Sequence, residues 1–485
     1  MGTLDKDLLS IQEVRDTVRK AKQAQVEFKE YSQSQVDHIV NAMALAAQNH
    51  AERLARLAKE ETGYGKWEDK VVKNIFASKF VCDSIKDMKT VGVIHEDKDN
   101  RVIEIAVPVG VVAGLIPSTN PTSTTIYKAL IALKAGNAIV FSPHPSAKNC
   151  IAETAKILSD TAVASGAPDG IIACLNLPTM QGTQALLTHK DVDLILATGG
   201  EAMVRAAYSS GTPAIGVGPG NAPAFIERSA DIPLAVKRIV ESKTFDNGVI
   251  CASEQSIIVE QCSKEVVVTE LRRQGAYFLG REESTHVASL LLGPNKAINP
   301  AVVGKSAMEL AVMLDIAVPH GTTLLISEQD SVSYDNPYSR EKLTPVLALY
   351  TASGWEDACL RCLELLNNEG KGHTMIIHSN NEQIIREFGL KKNVSRVLVN
   401  TPGALGGIGA TTNLSPALTL GCGAVGGSST SDNVGPQNLF NIRRVAWGVR
   451  ELSDLKGTTQ TDTKGSDPAT LELELIIKNL LKQFV

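Results

Sequence analysis

The chain has 485 residues, 43% hydrophobic and 21% charged, with a formal net charge of −5. That is a globular composition, long enough for two or three domains with well-buried cores. The mild acidity gives no reason to expect a nucleic-acid or anionic-membrane partner, and the longest apolar run, IAVPVGVVAGLIP, is broken by Pro and Gly and too short for a bilayer.

The opening stretch MGTLDKDLLS is charged almost from its start, so the expectation is a soluble, cytoplasmic protein without a secretory leader. From about residue 10 to 90, apolar residues recur at three- and four-residue intervals with charges between them, which predicts helices ending near Gly63 and Gly65. RVIEIAV (101–107) then alternates like a strand. GVVAGLI (110–116), NAIVFS (137–142), IIACLN (171–176), LILAT (194–198) and PAFIE (223–227) are short apolar runs separated by helical stretches. Continuous runs of this kind predict buried parallel strands, so the first half is expected to be an open α/β sheet, which binds nucleotides at the carboxyl ends of its strands. SIIVE (256–260), TLLISE (322–327), VLALY (346–350), TMIIHS (374–379) and VLVN (397–400) repeat the style in the second half.

After residue 455 the composition changes. KGTTQTDTKGS predicts a flexible linker over 456–466, followed by an amphipathic helix over 467–485 with Asp467 and Pro468 suited to N-cap and N1. Leu473, Ile476, Ile477, Leu480, Leu481 and Phe484 share its apolar face.

Eight cysteines are present, and only Cys359 and Cys362 have CxxC spacing. They fall in a helical pattern with no second pair to complete a zinc site, so no metal is expected. Cys251, in FDNGVICASEQ, is the candidate nucleophile because of its company. In LIPSTNPTST, Asn120 follows a predicted strand directly, where a carboxamide can donate to a developing oxyanion. In ATGGEAMVRAA, a strand, two glycines and a helix aim free N–H groups at an anion.

FDNGVICASEQ, PVGVVAGLIPSTNPTST, LILATGGEAMVRAAYSSGTPAIGVGPGNAP, EKLTPVLALY and NLSPALTLGCGAVGG together resemble the CoA-acylating branch of the aldehyde dehydrogenase superfamily, from about residue 10 to 455. The resemblance is nearest to the aldehyde dehydrogenase half of bifunctional aldehyde–alcohol dehydrogenases. It implies a Rossmann-like nucleotide domain over 1–235, a catalytic domain over 236–425 and a return over 426–455, with bridging strands near 95–107 and 440–455. Those bridging strands imply a homodimer or homotetramer. No alcohol dehydrogenase domain follows, so onward reduction of the aldehyde is not expected.

Carried over position by position, Cys251 is the nucleophile and Asn120 the oxyanion donor. Glu341 takes the nicotinamide ribose. Thr198, Gly199 and Gly200 open the helix over the pyrophosphate. Pro117, Ser118, Ser142, Pro143, His144 and Gly220 complete the implied nucleotide site. Ser142 stands where hydrolytic relatives have Lys, which leaves NAD against NADP open. His373 matches a position that assists proton transfer with CoA, with a structural histidine as the alternative. Glu254, three residues past the nucleophile, is set aside on the ground that a strand would turn it to the opposite face.

The informative departure is IGVGPGNAP (215–223), where hydrolytic relatives carry a water-activating Glu and this chain has Val217 and Gly218. Base assistance is worth about 10²–10⁴-fold, so its loss favours a thiol over water as acyl acceptor. The implied reaction is NAD-dependent, CoA-acylating oxidation of a small aldehyde. The alternatives are a hydrolytic aldehyde dehydrogenase and an acyl-phosphate reductase of the same fold. The terminal helix resembles encapsulation peptides of bacterial microcompartments, implying a shell or cargo partner through 467–485. Packing on its own oligomer is the alternative.

Overall fold

The computed structural model describes residues 5–293, 296–456 and 468–481. They divide into two compact units, Met1–Ile94 with Ala106–Ile442, and His95–Ile105 with Arg443–Val485. Helices Lys6–Phe28, Gln33–Asn49, Ala51–Thr62 and Trp67–Ile75 open the larger unit, as the apolar spacing predicts. Ser32 and Gln35 close a capping box at the start of the second helix, and Gly63 at φ 70° ends the third in the left-handed conformation that spares a Cβ clash.

Strands β1 (Gly92–Asp97) and β2 (Val102–Pro108) come next. Five parallel strands follow: β3 (Val111–Ile116), β4 (Ala138–Pro143), β5 (Ile172–Cys174), β6 (Leu194–Thr198) and β7 (Ala214–Val217). They form one sheet in the order β5-β4-β3-β6-β7. β3 and β4 are buried at every residue, which explains their unbroken apolar runs. Each Val, Leu, Ile or Phe buried in this way stabilises the fold by about 1.5–3 kcal/mol. Gly114 leaves room for Phe141 of the next strand, whose ring carbon lies 2.8 Å from where a Cβ would stand. From β3 the chain winds first to one side (β4, β5) and then to the other (β6, β7). The crevice of the sheet therefore opens between the carboxyl ends of β3 and β6.

The second sheet has seven parallel strands: β8 (Ala222–Ile226), β9 (Glu254–Glu260), β10 (Ala276–Phe278), β11 (Leu324–Glu328), β12 (Val346–Ala352), β13 (Gly372–His378) and β14 (Val394–Val399). Their order is β10-β11-β12-β9-β8-β13-β14. The expectation that PAFIE belongs with the first sheet is corrected here, because β8 lies between β9 and β13. An apolar run records burial on both faces and not the sheet that supplies it. Only residues 218–221 separate β7 from β8, so the carboxyl end of one sheet is joined directly to the amino end of the other.

β15 (Phe440–Ala446) completes a three-stranded sheet in the order β1-β2-β15. In the smaller unit, Arg444 Nε donates to Glu104 Oε1 at 2.9 Å and the Trp447 N–H to the Arg101 carbonyl at 3.2 Å. The terminal helix spans Pro468–Leu481, with Leu473, Ile476, Ile477 and Leu480 all exposed. Except for Lys456, the linker expected over 456–466 lies outside the described residues, as do Asp467 and Phe484. Among the described residues, no helix is long and apolar enough to cross a membrane.

Candidate active site

The helix Ile232–Thr244 stops at Phe245, and the chain then makes a tight turn in which Asp246 (φ 47°), Asn247 (φ 53°) and Gly248 (φ 74°) are all left-handed. Two successive non-glycine residues in this region cost roughly 1–3 kcal/mol each. Buried hydrogen bonds hold them there. The Asp246 carboxylate accepts from the Lys66 N–H at 2.6 Å, from Lys70 Nζ at 2.9 Å and from Lys73 Nζ. Asn247 Nδ2 donates to the Gly304 carbonyl at 2.8 Å.

Cys251 follows, half-buried in a turn closed by the Ser253 N–H on the Ile250 carbonyl. β9 begins only at Glu254, so strand alternation is not what separates Glu254 from Cys251. Glu254 is fully buried and its Oε1 accepts from the Gly403 N–H at 2.7 Å, while burial raises its carboxyl to about 7.

Gly220, expected at the nucleotide, packs against Cys251. A Cβ there would stand 2.0 Å from the Cys251 carbonyl oxygen, and its N–H is engaged by Glu341 Oε1 at 3.0 Å. No side chain larger than hydrogen fits. Glu341 is itself held by its backbone N–H on Glu369 Oε2 at 2.6 Å, and burial, with the Glu369 charge second, raises its carboxyl to about 8. Burial pushes the Cys251 thiol up to about 12, with Glu341 and Cys422 adding and Arg396 opposing. Val217 ends β7 and Gly218 follows, so the crossing segment that packs against Cys251 supplies no carboxylate of its own there.

Asn120 caps the helix Pro121–Lys134, with Pro121 at its first position. Its Oδ1 accepts from Lys73 Nζ at 2.5 Å. Its Nδ2 makes two long bonds, 3.3 Å to the carbonyl of Val249 and 3.2 Å to Thr119 Oγ1. The amide is thereby aimed at the segment two residues before Cys251, where it can exchange one long bond for an oxyanion. His373, near the amino end of β13, is fully buried, with Nδ1 2.9 Å from Thr374 Oγ1 and Nε2 without a partner. Burial, then Arg396, lowers its pKa to about 3, so the imidazole is neutral. Arg396 donates to the carbonyls of His373, Gly421 and Ser431 and so fixes the glycine-rich segment containing Cys422.

The other residues expected at the nucleotide lie at or just past the carboxyl ends of β3, β4 and β6. Pro117 and Ser118 follow β3 and are half-buried, while Ser142 and Pro143 end β4, with Ser142 Oγ 3.2 Å from Thr183 Oγ1. His144 is exposed and accepts from the Ser146 N–H. Thr198 ends β6 with Oγ1 3.1 Å from Thr419 Oγ1. Gly199 and Gly200 then lead into the helix Glu201–Tyr208, whose first N–H groups have no side-chain cap. Nothing lies within 4 Å of a Cβ built at Gly200. Open space, free N–H groups and the crevice fit a dinucleotide pyrophosphate. Glu201 in the first turn is turned aside onto Arg205 at 2.6 Å.

Sequence reading missed the roles of Lys70, Lys73 and Asp246. The available signal was a pair of lysines three apart on a short helix, which ordinarily marks a solvated face; here both are buried. Cys359 and Cys362 are buried on the helix Trp355–Asn368. Among the described residues, no group of three or more His, Cys, Asp or Glu could hold a metal ion.

A family model described as "Aldehyde dehydrogenase family" matches residues 7–410. The bifunctional aldehyde-alcohol dehydrogenase AdhE of Escherichia coli (strain K12) is 45% identical over 403 residues, covering 82% of this chain and 45% of the relative. The chain thus spans about half the length of that relative. The solved structure of a probable aldehyde dehydrogenase from Listeria monocytogenes EGD-e is 62% identical with a TM-score of 0.92, covering 93% of this chain and 100% of the other. An acetylating aldehyde dehydrogenase from Geobacillus thermoglucosidasius is 53% identical with a TM-score of 0.91, covering 93% and 99%.

The elevated thiol predicts how Cys251 responds to pH. Because the thiolate is the reactive form, its alkylation by iodoacetamide without ligands should rise about tenfold per pH unit from 7 to 10, followed by mass spectrometry of the Cys251 peptide. A rate already level at pH 7 would show a thiol ionised in the resting protein.

Proposed function

Since the chain belongs to the aldehyde dehydrogenase family, we propose that it catalyses the reversible, NAD-dependent, CoA-acylating oxidation of a short-chain aldehyde to acyl-CoA. One observation carries the reading. A half-buried cysteine lies two residues past Val249, whose carbonyl the Asn120 carboxamide contacts, while the crossing segment that packs against it carries Val217 and Gly218.

Cys251 Sγ gives up its proton to solvent as it adds to the aldehyde carbonyl, leaving a thiohemiacetal oxyanion. The Asn120 amide and the Cys251 N–H hold the oxyanion, an arrangement in which a single donor is typically worth about 10²–10³-fold. NAD, held by Thr198, Gly199, Gly200 and Glu341, supplies the hydride acceptor. The resulting acyl-Cys251 thioester awaits an acceptor that needs no strong base. A thiol meets that condition, because it is far more acidic than water and exchanges one thioester for another. His373, neutral at physiological pH with Nε2 unpartnered, acts as a hydrogen-bond acceptor that orients the CoA thiol and not as a store for its proton.

The assembly is a homo-oligomer joined through β15, an edge strand that leaves Ile442 and Val445 exposed. The terminal helix is a docking element for a microcompartment shell or cargo protein. Its exposed Leu473, Ile476, Ile477 and Leu480 support that reading.

With acetaldehyde or propionaldehyde and NAD⁺, CoA should raise NADH formation at least about tenfold, and acyl-CoA should be the product by chromatography. Cys251→Ser should reduce the rate to background. Free carboxylic acid formed at an equal rate without CoA would favour the hydrolytic alternative. Deleting residues 456–485 should leave activity and assembly intact while abolishing co-purification with shell proteins; loss of assembly would instead show that the helix packs on its own oligomer.

A further inference from the structure

Lys73 lies on the helix Trp67–Ile75, 2% exposed, and its ammonium touches two groups that come from opposite sides of the candidate site. One is Asn120 Oδ1 at 2.5 Å, and the other is Asp246 Oδ2 in the turn that leads to Cys251. An ammonium donates and never accepts, so the carboxamide beside it must present its oxygen. The NH₂ end is then forced to the other side, onto the Val249 carbonyl and Thr119 Oγ1. In the flipped rotamer, the Asn120 NH₂ group and the Lys73 ammonium would face each other as two sets of donors. Lys70 cannot substitute, because it reaches the Thr119 backbone carbonyl and Asp246 but not the Asn120 side chain.

We propose that Lys73 is a positioning residue, fixing the Asn120 carboxamide with its donor end toward Cys251 and tying that amide to the nucleophile turn through Asp246. The proposal rests on the oxyanion role given to Asn120 above. Burial lowers the Lys73 pKa to about 8, with Asp246 opposing, so the ammonium is charged at neutral pH. Removing it leaves Asp246 still paired with Lys70 at 2.9 Å, so the turn keeps a counter-ion.

A double-mutant cycle tests this, reading the pre-steady-state NADH burst with propionaldehyde and NAD⁺. Lys73→Met should slow the burst about tenfold to a hundredfold, with the KM values for NAD⁺ and CoA within about twofold of wild type, since losing an oxyanion donor outright costs about 10²–10³-fold. In the Asn120→Ala background the same substitution should cost less than about threefold, because the amide it orients is gone. Lys73→Gln keeps an N–H donor for Asn120 Oδ1 and should recover part of the loss. It also serves as the test variant if Lys73→Met does not fold, and then its smaller loss should again vanish in the Asn120→Ala background. Equal losses in both backgrounds, or no loss with Asn120 present, overturn the proposal. A wild-type chain that yields no burst fails the functional reading instead.

Discussion

The Asp246 carboxylate is fully buried, and the hydrogen bonds it accepts from Lys66, Lys70 and Lys73 hold the chain in two successive left-handed residues. Gly65 makes room for it, since a Cβ there would stand 1.8 Å from Asp246 Oδ1. Breaking such a pair by removing one partner typically costs about 3–5 kcal/mol, because a charge is left without compensation. That penalty is of the same order as the strain in the turn, about 2–6 kcal/mol for its two non-glycine residues, and so helps to fix where Cys251 stands. The same cluster reaches Asn120 through Lys73, so one buried charge is tied both to the turn before Cys251 and to the Asn120 carboxamide.

The electrostatics of the thiol follow from that burial. A rise from 9.0 to about 12 corresponds to about 4 kcal/mol against the free thiolate in the resting protein. The site therefore does not keep a standing thiolate. In the proposed reaction the donors, the Asn120 amide and the backbone N–H, act where charge develops after carbonyl addition. Gly220 contributes by being small, letting the crossing segment pass beneath the Cys251 carbonyl while its N–H steadies Glu341. The segment that in hydrolytic relatives would bring a base thus brings shape alone.

Much of this was legible in the sequence, and the reasons are specific. β3, β4, β6 and β9 are buried on both faces, so their unbroken runs of Val, Ile and Leu could be read directly. β8 has the same pattern but belongs to the other sheet, because hydrophobicity does not encode which strands are neighbours. Cys251, Asn120 and Glu341 stood out because the stretches around them resemble the aldehyde dehydrogenase superfamily. Lys73 and Asp246 are 173 residues apart and carry ordinary surface residue types, so nothing local announced that they meet. Glu254 was set aside on a strand geometry that does not extend to Cys251; the hydrogen bond to Gly403 is the better reason.

The central claim is that acyl transfer passes through one sulfur and is relieved by another. Incubating the protein with propionaldehyde and NAD⁺ without CoA, then measuring intact mass and mapping peptides, tests it most directly. A propionyl group should appear on Cys251 and disappear when CoA is added, with propionyl-CoA formed in equal amount. An unmodified Cys251 alongside stoichiometric NADH, or an adduct released as free acid at the same rate without CoA, would contradict the account.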